Sequence, residues 1–293
     1  MNIDDVKKIL VVGSGAMGSQ IAMVCALAGY EVSVQDISEE SLRKAKESLH
    51  YHMKRRVDKG KLTQSQVDEA FARLGFTTDL TAVARDADVV IEAIIEKLET
   101  KRQLFSELDQ LTPARTILAT NSSTIVSSKL ADATNRPDRV CNMHFFNPAL
   151  VMELVEVVRN PQTSQETVDV IVELSRCIGK IPIVLHKEIS GFVANRILGA
   201  LTDEAISLYE QGIASIEDID LACMKALNHP IGPFALMDLT GIDVNYYVRM
   251  QRMQETGDPA LGPKKSVIEK FEKGEWGRKT GKGWYDYRGD SNK

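Results

Sequence analysis

The chain has 293 residues, 43% hydrophobic and 26% charged, the balance of a soluble globular protein with room for one large domain or two ordinary ones. A net charge of −5 leaves no basic footprint for a nucleic acid, and no apolar run approaches the length of a membrane span. Cys25, Cys141, Cys177 and Cys223 are scattered through apolar contexts without a CxxC pair and read as reduced packing residues.

The N-terminus runs straight into an apolar strand without a signal-peptide core, so the expected location is the cytoplasm. Residues 8–12, Lys-Ile-Leu-Val-Val, have the continuous apolar character of a buried parallel strand. They lead into Gly13-Ser14-Gly15-Ala16-Met17-Gly18, a helical pattern ending at Gly29, and an alternating strand ending in Asp36. A GxGxxG says little alone; preceded by a strand, opening a helix and followed by an acid at this distance, it specifies a dinucleotide-binding βαβ unit. Gly13 suits the tight turn, Gly15 the approach of the pyrophosphate, and Gly18 close helix–strand packing. Ala16 and Met17 lie in the helical turn whose N–H groups face phosphate. Asp36 suits the adenosine ribose hydroxyls and would repel a 2′-phosphate, so the expected cofactor is NAD rather than NADP.

Residues 38–59 are polar and helical, expected to project from the sheet as one long helix or a helical hairpin. They carry a basic cluster, Lys54-Arg55-Arg56 with Lys59 and Lys61, which by itself reads as a solvated helix face. His50-x-His52 lacks a third ligand nearby, and no metal is expected. Further strands are expected at 76–78, 87–93 and 116–120, with a helix over 98–111. Asn121-Ser122-Ser123-Thr124 then opens another helix, either as its cap or as part of the ligand crevice.

In residues 140–158 a short strand reaches His144, an aromatic pair and Asn147-Pro148, and an apolar run then carries Glu156. A His at a strand end and a carboxylate within an apolar strand are what an acid/base pair needs, although a half-buried His and a solvated Glu fit the same residues. A helix over 166–177 and a strand over 181–185 complete the alternation, after which long helical patterns dominate. The expected fold is therefore α/β: a Rossmann-type, mostly parallel sheet domain over 1–187, followed by an all-α C-terminal domain over 188–293.

Several motifs in one order resemble the L-3-hydroxyacyl-CoA dehydrogenase family, its bacterial short-chain 3-hydroxybutyryl-CoA dehydrogenases above all. They are Gly13-x-Gly15-x-x-Gly18, Glu92-Ala93-Ile94-Ile95-Glu96, Asn121-Ser122-Ser123, His144-Phe145-Phe146-Asn147-Pro148, Gly191-Phe192-Val193-Ala194-Asn195-Arg196 and Gly277-Arg278-Lys279-Thr280-Gly281-Lys282-Gly283-Trp284-Tyr285. The resemblance implies that His144 is the general base toward the 3-hydroxyl and Glu156 its partner, with Ser123 and Asn195 bonding the substrate oxygen and the imidazole. It implies cofactor contacts from Glu96, Ser123, Asn147, Lys101 and Lys279, and places Lys101 near the CoA thioester arm as well. An acyl-CoA substrate gives the basic cluster a purpose, with Lys54, Arg55 and Lys59 on its phosphates. The resemblance also implies a homodimer through the helical domain, whose helices are apolar on more than one face (Ile197, Leu198, Leu201, Ile206, Leu208). A dehydrogenase of a free hydroxy acid, or a relative kept as bulk structural protein, are the alternatives.

Overall fold

The computed structural model describes residues 1–289, which fall into two compact units, Met1–Phe192 and the residues from Val193 on. The first alternates strands and helices: β1 (Lys8–Val12), α1 (Ala16–Leu27), β2 (Glu31–Gln35), α2 (Glu39–Asp58), α3 (Gln64–Ala72), β3 (Leu74–Thr77), α4 (Leu80–Ala84), β4 (Val89–Glu92), α5 (Leu98–Leu111), β5 (Ile117–Thr120), α6 (Ser128–Ala131), β6 (Val140–Phe145), β7 (Leu154–Arg159), α7 (Gln165–Cys177) and β8 (Ile181–Leu185). Its eight strands form one sheet in the order β3-β2-β1-β4-β5-β6-β7-β8. All neighbours run parallel except β6 and β7, a hairpin. Helices cover both faces, so every residue of β4, β5 and β6 is buried and the strands are apolar almost throughout. The chain order reverses between β1 and β4, which opens a crevice at the carboxyl ends of the strands.

Local chemistry accounts for the element boundaries. Ser38 caps α2, its hydroxyl accepting from Ser41 N–H, and Ser164 caps α7 in the same way. The strand expected at 76–78 is β3, starting two residues earlier. α2 is a single helix, and it does not project away from the sheet. Leu42, Ala45, Leu49 and Met53 lie on one face at helical spacing and are buried in the sheet unit's core, where Leu49 and Met53 each contribute about 1.5–3 kcal/mol. Its polar composition hides that narrow apolar stripe. α3 lies beyond the expected elements, and Thr63 and Gln66 form a capping box at its start. The segment 121–124 opens a turn instead of a helix: Ser122 Oγ accepts from Ile125 N–H at 2.8 Å. Three of the cysteines are buried packing residues, whereas Cys177 is exposed near the end of α7.

The second unit is helical: α8 (Phe192–Glu210), α9 (Ile216–Ala226), α10 (Pro233–Thr240), α11 (Ile242–Thr256) and α12 (Lys265–Glu272). Its core gathers Ile206, Ile219, Phe234, Met237, Ile242, Val267 and Trp284. Two buried carboxylates fasten its C-terminal stretch. Asp220 accepts from Phe234 N–H and the Tyr285 hydroxyl, both at 2.8 Å, and Asp238 accepts from Trp284 N–H at 2.8 Å and Tyr285 N–H at 2.9 Å. No helix of the described residues is long and apolar enough to cross a membrane.

Candidate active site

The glycine loop is built as its spacing requires. Gly13 has φ +101°, and a Cβ there would stand 2.5 Å from the Ala93 carbonyl oxygen, so β1 and β4 deliver their following loops into contact. A Cβ on Gly18 would meet the Gly13 carbonyl oxygen at 1.9 Å. Gly15 faces open space within 4 Å, at the head of a helix whose first-turn N–H groups have no intrahelical partner. Asp36, just past β2, is locked against this loop. One carboxylate oxygen accepts from Ser14 N–H and Ser14 Oγ, both at 2.8 Å, and the other from Ser38 N–H at 3.0 Å. An open cradle at a helix N-terminus beside an anchored carboxylate fits a dinucleotide.

At the far wall of the crevice His144 lies on β6 and Glu156 on β7, directly opposite in the antiparallel register. His144 Nδ1 and Glu156 Oε2 are 2.8 Å apart, with the two side chains 6% and 0% exposed. A carboxylate accepts only, so the tautomer this contact selects carries its proton on Nδ1 and leaves Nε2 as the acceptor. Phe146 and Phe192 pack against the imidazole, with centroids at 4.6 and 5.3 Å. Phe192 holds a left-handed φ of +46° while fully buried. Asn121, at the end of β5, accepts from Phe145 N–H at 2.9 Å and ties the 121–124 turn to the His144 strand. Within that turn the Ser123 carbonyl accepts from Gly191 N–H at 3.2 Å.

Glu96 faces the same strand ends. Its carboxylate accepts from the hydroxyls of Ser122 and Thr124, and Lys101 Nζ lies 3.3 Å away. Burial pushes the Glu96 carboxyl up, but Lys101 and the two hydroxyls outweigh it and hold the group below its ordinary value. Lys101 itself is sealed in at 1% exposure, 2.5 Å from Glu92, which also accepts from Thr120 Oγ1 at 2.6 Å. The Lys101 ammonium thus stands between Glu92 and Glu96, whose two carboxylates compensate its burial. Glu92 stands in the Glu92-Ala93-Ile94-Ile95-Glu96 motif, but its role as the partner of Lys101 and Thr120 emerges only from the packing.

A cavity of about 230 Å³ lies between the end of α2 and the turn after His144. Arg55, Arg56, Lys59, Lys61 and His52 line it together with Gln20, Pro148, Leu150 and Val151. Lys54 is exposed and does not line it. The pattern at 50–52 resolves here: His52 reaches the cavity, while His50 stacks on Phe71 with ring centroids 4.1 Å apart. Asn147 is exposed on the turn itself. In the second unit Asn195 is exposed early in α8, and Lys279 is exposed and ion-paired to Asp243 at 2.6 Å.

The chain matches the family described as "3-hydroxyacyl-CoA dehydrogenase, NAD binding domain" over residues 8–189 and "3-hydroxyacyl-CoA dehydrogenase, C-terminal domain" over 191–287. It belongs to the 3-hydroxyacyl-CoA dehydrogenase family. Among its relatives, the mitochondrial hydroxyacyl-coenzyme A dehydrogenase of Homo sapiens is 38% identical over 290 residues, covering 97% of this chain and 92% of that protein. The 3-hydroxybutyryl-CoA dehydrogenase of Clostridioides difficile is 38% identical over 280 residues, covering 96% of this chain and 99% of that protein. The crystal structure of (S)-3-hydroxybutyryl-CoA dehydrogenase from Ralstonia eutropha superposes with a TM-score of 0.89 at 38% identity, over 96% of this chain and 99% of that one. This dehydrogenase is thus an NAD-dependent oxidoreductase of 3-hydroxyacyl-CoA, and its mostly parallel sheet unit is the NAD-binding domain, as the βαβ fingerprint implied.

Proposed function

We propose that the dehydrogenase interconverts short-chain (S)-3-hydroxyacyl-CoA, (S)-3-hydroxybutyryl-CoA in the first place, and the 3-ketoacyl-CoA, using His144 and Glu156 as the acid/base pair. The observation that carries this is the 2.8 Å contact between His144 Nδ1 and Glu156 Oε2 across the β6–β7 hairpin. His144 Nε2 takes the proton of the 3-hydroxyl, and Glu156 holds the ring and stabilises the imidazolium without itself taking the proton. In the reverse direction the imidazolium returns that proton to the ketone oxygen. The cofactor supplies one piece of chemistry, accepting a hydride from C3. Gly13, Gly15, Ala16, Met17 and Gly18 hold its pyrophosphate, and Asp36 its adenosine ribose. Glu96 and Asn147 serve the nicotinamide ribose, and Lys279 is a further cofactor contact. Ser123 and Asn195 bond the substrate oxygen as charge moves on and off it.

The short chain is supported by relatives named as 3-hydroxybutyryl-CoA dehydrogenases. The cavity supplies the charge for the CoA phosphates through Arg55 and Lys59, joined by Arg56, Lys61 and His52, and Lys54 adds to the field from outside it. Lys101 serves cofactor and substrate indirectly, by charge-pairing with Glu96 from below. We assign residues 1–187 to the cofactor domain and 188–293 to the substrate and dimerisation domain, with two copies meeting through the latter. The test is NADH formation from NAD with (S)-3-hydroxybutyryl-CoA beside free 3-hydroxybutyrate. Turnover of the CoA ester alone is expected; turnover of the free acid would overturn the substrate assignment.

A further inference from the structure

The turn that joins the two strands of the acid/base pair is held from outside by three side chains. Residues 146–153 connect β6 to β7, so their placement sets how His144 and Glu156 face each other. Lys180, just before β8, is buried, and its Nζ donates to the carbonyl oxygens of Ala149 at 2.6 Å and Met152 at 2.7 Å. Gln20, buried on α1, accepts from Leu150 N–H at 3.2 Å, and Arg56 on α2 donates to the Leu150 carbonyl. Burying an ammonium is costly, and burial with Arg56 nearby holds Lys180 below the usual lysine range. Arg56 has a second aspect, since it also lines the basic cavity with His52, Arg55, Lys59 and Lys61.

We propose that Lys180 and Arg56 are positioning residues for the acid/base pair, clamping turn 147–152, and that Arg56 ties this clamp to the anion held in the cavity. The tie rests on the reading of the cavity as the phosphate site of the acyl-CoA. Binding energy from a remote phosphate is then spent on orientation at the reacting carbon, where a displacement of about 1 Å costs up to about 10²-fold in rate.

The test compares (S)-3-hydroxybutyryl-CoA with the N-acetylcysteamine thioester of the same acid, which carries no phosphate. kcat and KM are measured for the wild-type enzyme, Arg56→Met, Lys180→Met and Lys180→Arg, with the circular-dichroism spectrum as the folding control. Arg56→Met is expected to lower kcat about tenfold on both thioesters with the circular-dichroism spectrum unchanged, because the turn moves whether or not a phosphate is bound. Lys180→Met should do the same, and Lys180→Arg should recover part of the loss. If Arg56→Met raises only KM for the CoA ester and leaves both kcat values at the wild-type level, Arg56 is a phosphate contact alone and the proposal falls. Should Lys180→Met fail to fold, Arg56→Met decides by itself, since its side chain is only half-buried. Equal wild-type KM for the two thioesters would overturn the cavity reading and the tie with it, leaving the clamp to stand or fall on kcat with the truncated thioester.

Discussion

Glu156 is sealed from solvent, and its Oε2 stands 2.8 Å from the nitrogen it orients. Glu156→Gln keeps the shape and removes the charge that fixes the tautomer. Its expected kcat falls by roughly 10²–10⁴-fold with NAD affinity little changed, the range for losing acid–base assistance; stopped-flow turnover at the wild-type level would end the pair's assignment. Asp36 is the residue proposed for the adenosine ribose. Ser14 and Ser38 hold both its oxygens, and on the proposed reading the fixed carboxylate would repel a 2′-phosphate. Asp36→Ser is expected to weaken NAD and to raise kcat/KM for NADP, and an NADP efficiency already equal to that for NAD in the wild type would contradict it. Both residues are legible from sequence, Asp36 as the acid just past the second strand of a βαβ unit and Glu156 as the carboxylate within an apolar strand. Arg56 and Lys180 are not, because their partners are backbone carbonyls more than twenty residues away.

Two elements separate binding from folding. In the glycine loop a Cβ at position 15 meets nothing within 4 Å, whereas one at 18 collides with the Gly13 carbonyl. Gly15→Ala is therefore expected to leave Tm nearly unchanged while weakening NAD, and Gly18→Ala to lower Tm and NAD affinity together; calorimetry with NAD titration separates them. On α5, Asp109 holds the 135–136 segment, accepting from Asn135 N–H at 2.9 Å and Arg136 Nε at 2.7 Å. Burial pushes this carboxyl up, but the Asn135 and Arg136 donors outweigh it and hold the group below its ordinary value near 3.8. A depressed folded-state value contributes stability above the unfolded pKa and loses it as pH falls through the folded one. Asp109→Asn should thus cost about 1.5–3 kcal/mol at neutral pH, the scale of hydrogen bonds to a charged group. Urea melts should show the difference from wild type shrinking below pH ~4; a difference independent of pH would refute the charge argument. At this scale the sequence is legible where the apolar period is strong, as in α5 and α7, and the buried face of α2 is not, because its four buried residues are too sparse among its charges.

For the whole molecule, the helical unit exposes large apolar side chains in rows: Val244, Tyr247 and Val248 along α11, and Leu221 and Met224 along α9. Exposed apolar surface of this kind marks an interface. The wild-type protein is expected to sediment at twice the 32.5 kDa of one chain, and the double variant Tyr247→Asp, Val248→Asp at the mass of one. A wild-type monomer would refute the dimer. The sequence by itself determined the βαβ unit, the NAD cofactor, the alternation of strands and helices, and His144 and Glu156 as candidates, because those signals are local in period, spacing and residue type. Only the tertiary structure decided that His144 and Glu156 face each other, since strand register depends on pairing between segments. It also decided that Lys101 is buried under Glu96, and that Arg56, Lys61 and His52 join Arg55 and Lys59 around one cavity while Lys54 does not. A helix face is readable from spacing, but what it meets is set by long-range packing.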